Sequence, residues 1–194
     1  MLVVISPEKD VANELETVLA MLEAGLTHYH LRKPYWTAEQ SESFILALPQ
    51  RFRERVRLHQ NHELCQYFPE VKRHYRSQAD ISEAKGASVS CHSLTEIEEK
   101  IGLDYYFLSP IFDSISKVGY QSGFNQEHLQ QGLPKLAHSG KRVVALGGID
   151  SSNVGLCKEW GFTGVAVLGS IWKHQKVEDR IQEFQTIWQE SLTY

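Results

Sequence analysis

Val143-Val144-Ala145-Leu146-Gly147-Gly148-Ile149-Asp150 decides how this chain is read. A β-branched apolar run ends at two glycines, and the polar, cap-rich Asp150-Ser151-Ser152-Asn153 follows. The pattern is a buried strand, a turn without side chains, and a helix start. Bare N–H groups in such a turn suit an anion. The same logic repeats at Gly164-Val165-Ala166-Val167-Leu168, closed by Gly169-Ser170. Two successive strand–glycine–helix units near the C-terminus are where a (β/α)8 barrel keeps a phosphate site. Two plain βα turns without a ligand would read the same way from glycine alone.

Working outward, short apolar runs alternate with helical patterns along the whole chain, the mark of parallel α/β architecture. The expected strands are Leu2–Ile5, His28–Leu31, 55–58, 71–75, 87–91 and Tyr105–Leu108, then the two glycine-ended units. The first helical stripe carries Val11, Leu15, Val18, Leu19 and Leu22 and stops at Gly25. Thr37 with Glu39 and Gln40 resembles a helix cap, and Ser93 with Glu96 a capping box. The last helix shows Val177, Ile181, Phe184, Ile187 and Trp188 on one face. The expectation is a single domain over residues 1–194, a compact (β/α)8 TIM barrel. Its length is short of the roughly 250 residues typical of that fold. The polar interval 76–86 accounts for the difference if the fourth helix is shortened or missing. An open doubly wound sheet is the competing architecture; it needs no eighth strand.

Net charge is -4 with no long basic run, which gives nucleic-acid binding no support. Cys65, Cys91 and Cys157 are odd in number and widely spaced, against a disulfide framework or zinc ribbon. The N-terminus lacks a basic leader and no segment approaches a membrane span, so a cytoplasmic setting is expected. The nine histidines show no metal-binding spacing and are expected mostly on the surface.

Barrel active sites lie at strand C-termini. In His28-Tyr29-His30-Leu31-Arg32-Lys33-Pro34, alternation puts His28, His30 and Arg32 on one face. If that face is inward, Arg32 calls for an anionic ligand or an internal carboxylate. In Ser88-Val89-Ser90-Cys91-His92-Ser93, Ser90 and His92 share a face, and Cys91 reads as a small filler. After the sixth strand a long hydroxyl-rich loop holds Ser114, Ser116 and Lys117, which suits a lid carrying a cation or an ordinary solvated loop. Trp172 and Trp188 are read as exposed and suited to a homodimer face.

In this order, the strand ends resemble the thiamine phosphate synthase/thiazole tautomerase family. The likeness is carried by His30-Leu31-Arg32-Lys33-Pro34, Ser88-Val89-Ser90-Cys91-His92-Ser93, Asp104-Tyr105 through Ser109-Pro110-Ile111-Phe112 to Lys117, Ala145 to Ile149, and Gly164 to Val167. It implies a barrel that loses pyrophosphate from a pyrimidine diphosphate with Mg2+ help and joins the resulting cation to a thiazole phosphate. Arg32 and Lys117 would then hold pyrophosphate, with Ser90 near it. Gly147, Gly148, Gly169 and Ser170 would cradle the thiazole phosphate. Asn61, with Ser114 and Ser116, would join the substrate site. The family's magnesium-binding Asp beside that Asn is His62 here, a poor magnesium ligand. Asp80 of Ser77-Gln78-Ala79-Asp80 is the match for the second Asp. A weakened metal end beside an intact phosphate end leaves three readings. These are the synthase; a thiazole tautomerase using His30 and His92 as acid–base groups; and a non-catalytic thiazole phosphate binder. Each has phosphorylated thiamin precursors as partners.

Overall fold

The computed structural model describes residues 1–78, 85–112 and 124–192. Eight parallel strands close a barrel in chain order: β1 (Leu2–Ile5), β2 (His28–Leu31), β3 (Val56–Leu58), β4 (Lys72–Tyr75), β5 (Ser88–Cys91), β6 (Tyr105–Leu108), β7 (Val143–Leu146) and β8 (Gly164–Val167). Closure runs through the pairing of β1 with β8, with Val3 opposite Ala166. The described α-helices are α1 (Glu14–Glu23), α2 (Ala38–Ala47), α3 (Gln50–Arg53), α4 (Leu94–Glu99), α5 (Gln126–His138), α6 (Val154–Glu159), α7 (Gly169–Trp172) and α8 (Val177–Leu192), with a 3-10 helix at His62–Gln66. No helix is described between β4 and β5, where residues 79–84 lie outside the described residues. None of the described helices is long and apolar enough to cross a membrane.

Local sequence explains the boundaries. Thr37 caps α2 with its hydroxyl on the Gln40 N–H, and the Gln40 side chain returns to the Thr37 N–H. Ser93 caps α4 through the Glu96 N–H, but the Glu96 carboxylate reaches the His92 N–H instead of closing a box on Ser93. Outward residues of the strands pack under the helices, with Tyr29, Leu31, Val89, Ala145 and Val165 in one core with Phe184 and Ile187 of α8. Each fully buried Leu, Ile or Phe there contributes about 1.5–3 kcal/mol.

Trp172 and Trp188 are not the exposed pair that the sequence suggested. The Trp172 indole N–H donates to the Ile5 carbonyl at 2.7 Å, and Trp188 lies beside Phe184 and over Gly25. Both rings are partly buried against the core, so neither forms an apolar outer face.

The interior of the barrel divides in two. Val3, Ile5, Phe107, Val144 and Ala166 make an apolar half, with Leu146 and Leu168 at its upper edge. The other half is polar and buried: His30, Arg57, His74 and Ser88. The two halves support different parts of the mouth.

Candidate functional site

The glycine turns sit on adjacent strands, because β7 pairs with β8 with Leu146 opposite Ala166. Gly147 and Gly148 have φ of 106° and 62°, a left-handed path that side chains disfavour. A Cβ on Gly147 would lie 3.0 Å from the Pro110 Cα, so the close approach of the β6 loop also requires glycine. The Gly147 carbonyl accepts from the Phe112 N–H, and the Gly148 carbonyl from the Asn153 side chain. With both carbonyls taken, what this turn can offer a ligand is N–H. After β8, α7 starts at once with Gly169. Ser170 in its first turn is buried, and its hydroxyl has no hydrogen-bond partner among the described residues.

Across the mouth the residues from β2 to β5 behave differently. Arg32 lies at the rim and forms an ion pair with Glu8. This is the carboxylate alternative to a bound anion. Its neighbour Lys33 is fully buried against Glu14, 2.6 Å away, and holds β2 to the start of α1. Asn61 is tied into the scaffold: its side-chain amide donates to the Thr37 carbonyl at 3.2 Å and to the Ser41 hydroxyl at 2.9 Å. His62 donates to the Leu58 carbonyl at 2.9 Å and sits edge-on to Tyr75. Ser90 bonds His74 at 2.9 Å. His92 is exposed, and its Nδ1–H donates to the Ser109 carbonyl at 3.1 Å, leaving Nε2 as the basic nitrogen. Asp80, Ser114, Ser116 and Lys117 lie outside the described residues.

His30, His59 and His74, from the C-terminal ends of three successive strands, bring their rings together inside the polar half. His30 Nδ1 is 2.9 Å from His59 Nε2, and His30 Nε2 is 2.6 Å from the Tyr105 hydroxyl. His59 stacks on His74 with centroids 4.2 Å apart. His74 Nδ1 meets the Ser88 hydroxyl at 2.8 Å. Burial, then the neighbouring imidazoles and guanidinium groups, holds His30 and His59 well below the ordinary histidine pKa. Burial brings His74 down to about 3, with His62 and Arg57 adding to the effect. These rings are neutral at pH 7. The expectation of mostly surface histidines is therefore corrected, since only His92, His128 and His138 are exposed. His59 comes just after β3 and two residues past Arg57, and His74 directly follows Lys72 and Arg73 in β4, so in sequence both sit in a charged context that mimics a solvated surface.

Cys91 and Cys157 are fully buried, and burial pushes both thiols up to about 12. This fits the filler reading of Cys91. In the native protein a thiol-exchange reagent such as Ellman's is expected to titrate Cys65, the half-buried one, well ahead of the others. All three react in denaturant; fast native labelling of Cys91 would contradict this burial.

Comparison with known proteins agrees with the geometry. Residues 76–171 match the family model described as thiamine monophosphate synthase. The thiamine-phosphate synthase of Actinobacillus succinogenes is 26% identical over an alignment of 204 residues, covering 91% of this chain and 87% of that protein. The crystal structure of thiamine phosphate pyrophosphorylase from Bacteroides thetaiotaomicron superposes with a TM-score of 0.81 at 28% identity, covering 98% of this chain and 96% of that one. The thiamine phosphate pyrophosphorylase of Pyrococcus furiosus, 23% identical with a TM-score of 0.74 over 99% of this chain and 96% of that one, shares the fold. The chain is thus similar to thiamine phosphate synthases, the family that its strand ends resemble.

Proposed function

We propose that the chain is a transferase of the thiamine phosphate synthase type. It joins a hydroxymethylpyrimidine diphosphate to a hydroxyethylthiazole phosphate and releases pyrophosphate. The observation that carries this reading is the pair of glycine turns on β7 and β8, with the partnerless Ser170 hydroxyl in the first turn of α7. Loops after the last two strands and a short extra helix are the usual phosphate cradle of this fold. In this reading the backbone N–H groups of Gly148, Gly169 and Ser170 hold the thiazole phosphate. The apolar half of the interior lies beneath them, a water-poor support for a carbocation-like centre.

The opposite rim receives the diphosphate. Arg32 exchanges Glu8 for the leaving group, and Lys117 supplies a second cation to it. Guanidinium and ammonium groups there stabilise the charge that develops on departing pyrophosphate. The family implies Mg2+, which takes hard oxygen ligands. The side chains described at these strand ends are mainly imidazoles and the Asn61 amide, and the nearby carboxylates Glu8 and Glu96 are already engaged by Arg32 and the His92 N–H, so this set does not suit that ion. The matching carboxylate, Asp80, lies outside the described residues. His92, with Nε2 basic and exposed, is the rim's candidate proton carrier.

The test supplies both precursors with Mg2+ and follows pyrophosphate and thiamin phosphate. Stoichiometric formation of both is expected. Thiazole phosphate binding without pyrophosphate release would overturn the transferase. Exchange of a thiazole-precursor ring proton by NMR would then mark an isomerase, and its absence a binder. Arg32→Ala is expected to abolish turnover while thiazole phosphate affinity stays within about twofold. Equal losses of both would make Arg32 structural.

A further inference from the structure

We propose that His30, His59 and His74 form a binding site for a divalent transition-metal ion, with Zn2+ the best chemical match. One ring nitrogen from each of the three lies within 4.8 Å of the others. Neutral imidazole is a ligand for zinc, copper, nickel and iron and a poor one for magnesium. Three histidines leaving a fourth position open are a recurrent zinc arrangement. At zinc–nitrogen distances of about 2.1 Å, tetrahedral ligands stand roughly 3.4 Å apart. Small ring rotations reach that spacing from the present separations, the shortest of which is 2.9 Å.

The surroundings also fit. A metal-bound histidine needs its other ring nitrogen held, which fixes the tautomer and aims the ligand. Tyr105 does this for His30 Nε2 at 2.6 Å. Ser88 and Ser90 sit on the two nitrogens of His74, so whichever one coordinates, the other stays held. The 2.9 Å contact between His30 and His59 is now bridged by one N–H. On metal binding that proton leaves the shared edge for the far side of one ring, both lone pairs face the ion, and no proton need leave the cluster. His59 is the half-buried member, so the open position faces the mouth. The ligands carry no charge, and Arg32 and Arg57 add positive charge nearby. The fourth ligand is consequently an anionic oxygen, hydroxide or phosphate. The proposal does not rest on the transferase reaction, and its test needs no turnover.

The experiment titrates chelator-treated full-length protein with Zn2+ by calorimetry, and with Co2+ by visible absorption. One ion per chain is expected, and Co2+ should show the intense ligand-field bands of a four-coordinate site. His59→Ala should weaken binding on the order of 100-fold or more, while His128→Ala, exposed on α5, should leave it unchanged. Tyr105→Phe keeps the ring and removes the hydroxyl; it should lower affinity about 10- to 100-fold. Circular dichroism of each variant establishes that it is folded. Absence of binding by the wild type overturns the proposal. So does a six-coordinate cobalt spectrum, or equal binding by folded His59→Ala and His128→Ala. If His59→Ala does not fold, the Tyr105→Phe affinity decides: an unchanged value counts against the site.

Discussion

Lys33→Met is expected to destabilise the protein by about 3–5 kcal/mol, the penalty for leaving one member of a buried ion pair alone. The Lys33 side chain is 1% exposed and its ammonium sits 2.6 Å from Glu14, which is 8% exposed. Glu14 also accepts from the Tyr29 hydroxyl at 2.8 Å, beneath the helices. Burial raises the Glu14 carboxyl above the usual carboxylate range despite the ammonium and the phenol, so desolvation outweighs the pairing even in the intact protein. Asp10, 3.4 Å from the Lys33 ammonium and 73% exposed, is itself an anion and adds repulsion on Glu14. Removing the cation leaves Glu14 buried with one donor in the first turn of α1. Adding Glu14→Gln to Lys33→Met removes the stranded charge and keeps an acceptor for Tyr29. The double variant should recover more than half of the loss, because a matched neutral pair often equals a buried ionic one. Urea denaturation of the four proteins of this cycle measures it. A loss below about 1 kcal/mol in Lys33→Met would mean that the ammonium is not held in the core.

The strand ends were legible in the sequence, and their partners were not. The β7 and β8 turns announce themselves because glycine, β-branched residues and a following cap are local signals. Alternation in β2 likewise gave Tyr29 and Leu31 to the outer core and His30 to the interior. What no local pattern contains is the contact between strands. Arg32 meets Glu8 because β1 and β2 run parallel, with Ile5 opposite His30. His30 and His59 are 29 residues apart and become neighbours only through barrel closure. Asn61 matches a substrate-site motif in sequence; only the fold shows its backbone φ of 53° and its amide on Thr37 and Ser41 at the start of α2. Trp172 read as surface because α7, a single turn, has too few residues to show periodicity. Those misses share one cause: short elements whose polar residues face inward look, in sequence, like solvated ones.

That inward polarity predicts acid instability. His28 and His74 are both brought to about 3, by burial first and then by nearby positive charge, Arg57 in particular. The unfolded chain has no such burial, and its histidines titrate near 6.5. A histidine with a depressed folded pKa binds fewer protons in the native state. Its contribution is therefore complete above the unfolded pKa and is lost as pH falls below 6.5 toward 3. At pH 5 each group has lost about 1.5 pH units of linkage, or about 2 kcal/mol, so the two together remove about 4 kcal/mol. His30 and His59 shift in the same direction and add to this. Against a total stability of roughly 5–15 kcal/mol for a domain, the loss is large. In the presence of a chelator, the urea midpoint should fall steeply between pH 7 and pH 5, and unfolding at pH 5 should take up at least two protons. His28→Asn and His74→Asn should each flatten the slope by close to one proton, even where they lower stability at pH 7. A urea midpoint independent of pH over that range would mean that the interior imidazoles are solvated and that the polar half of the barrel is open to water.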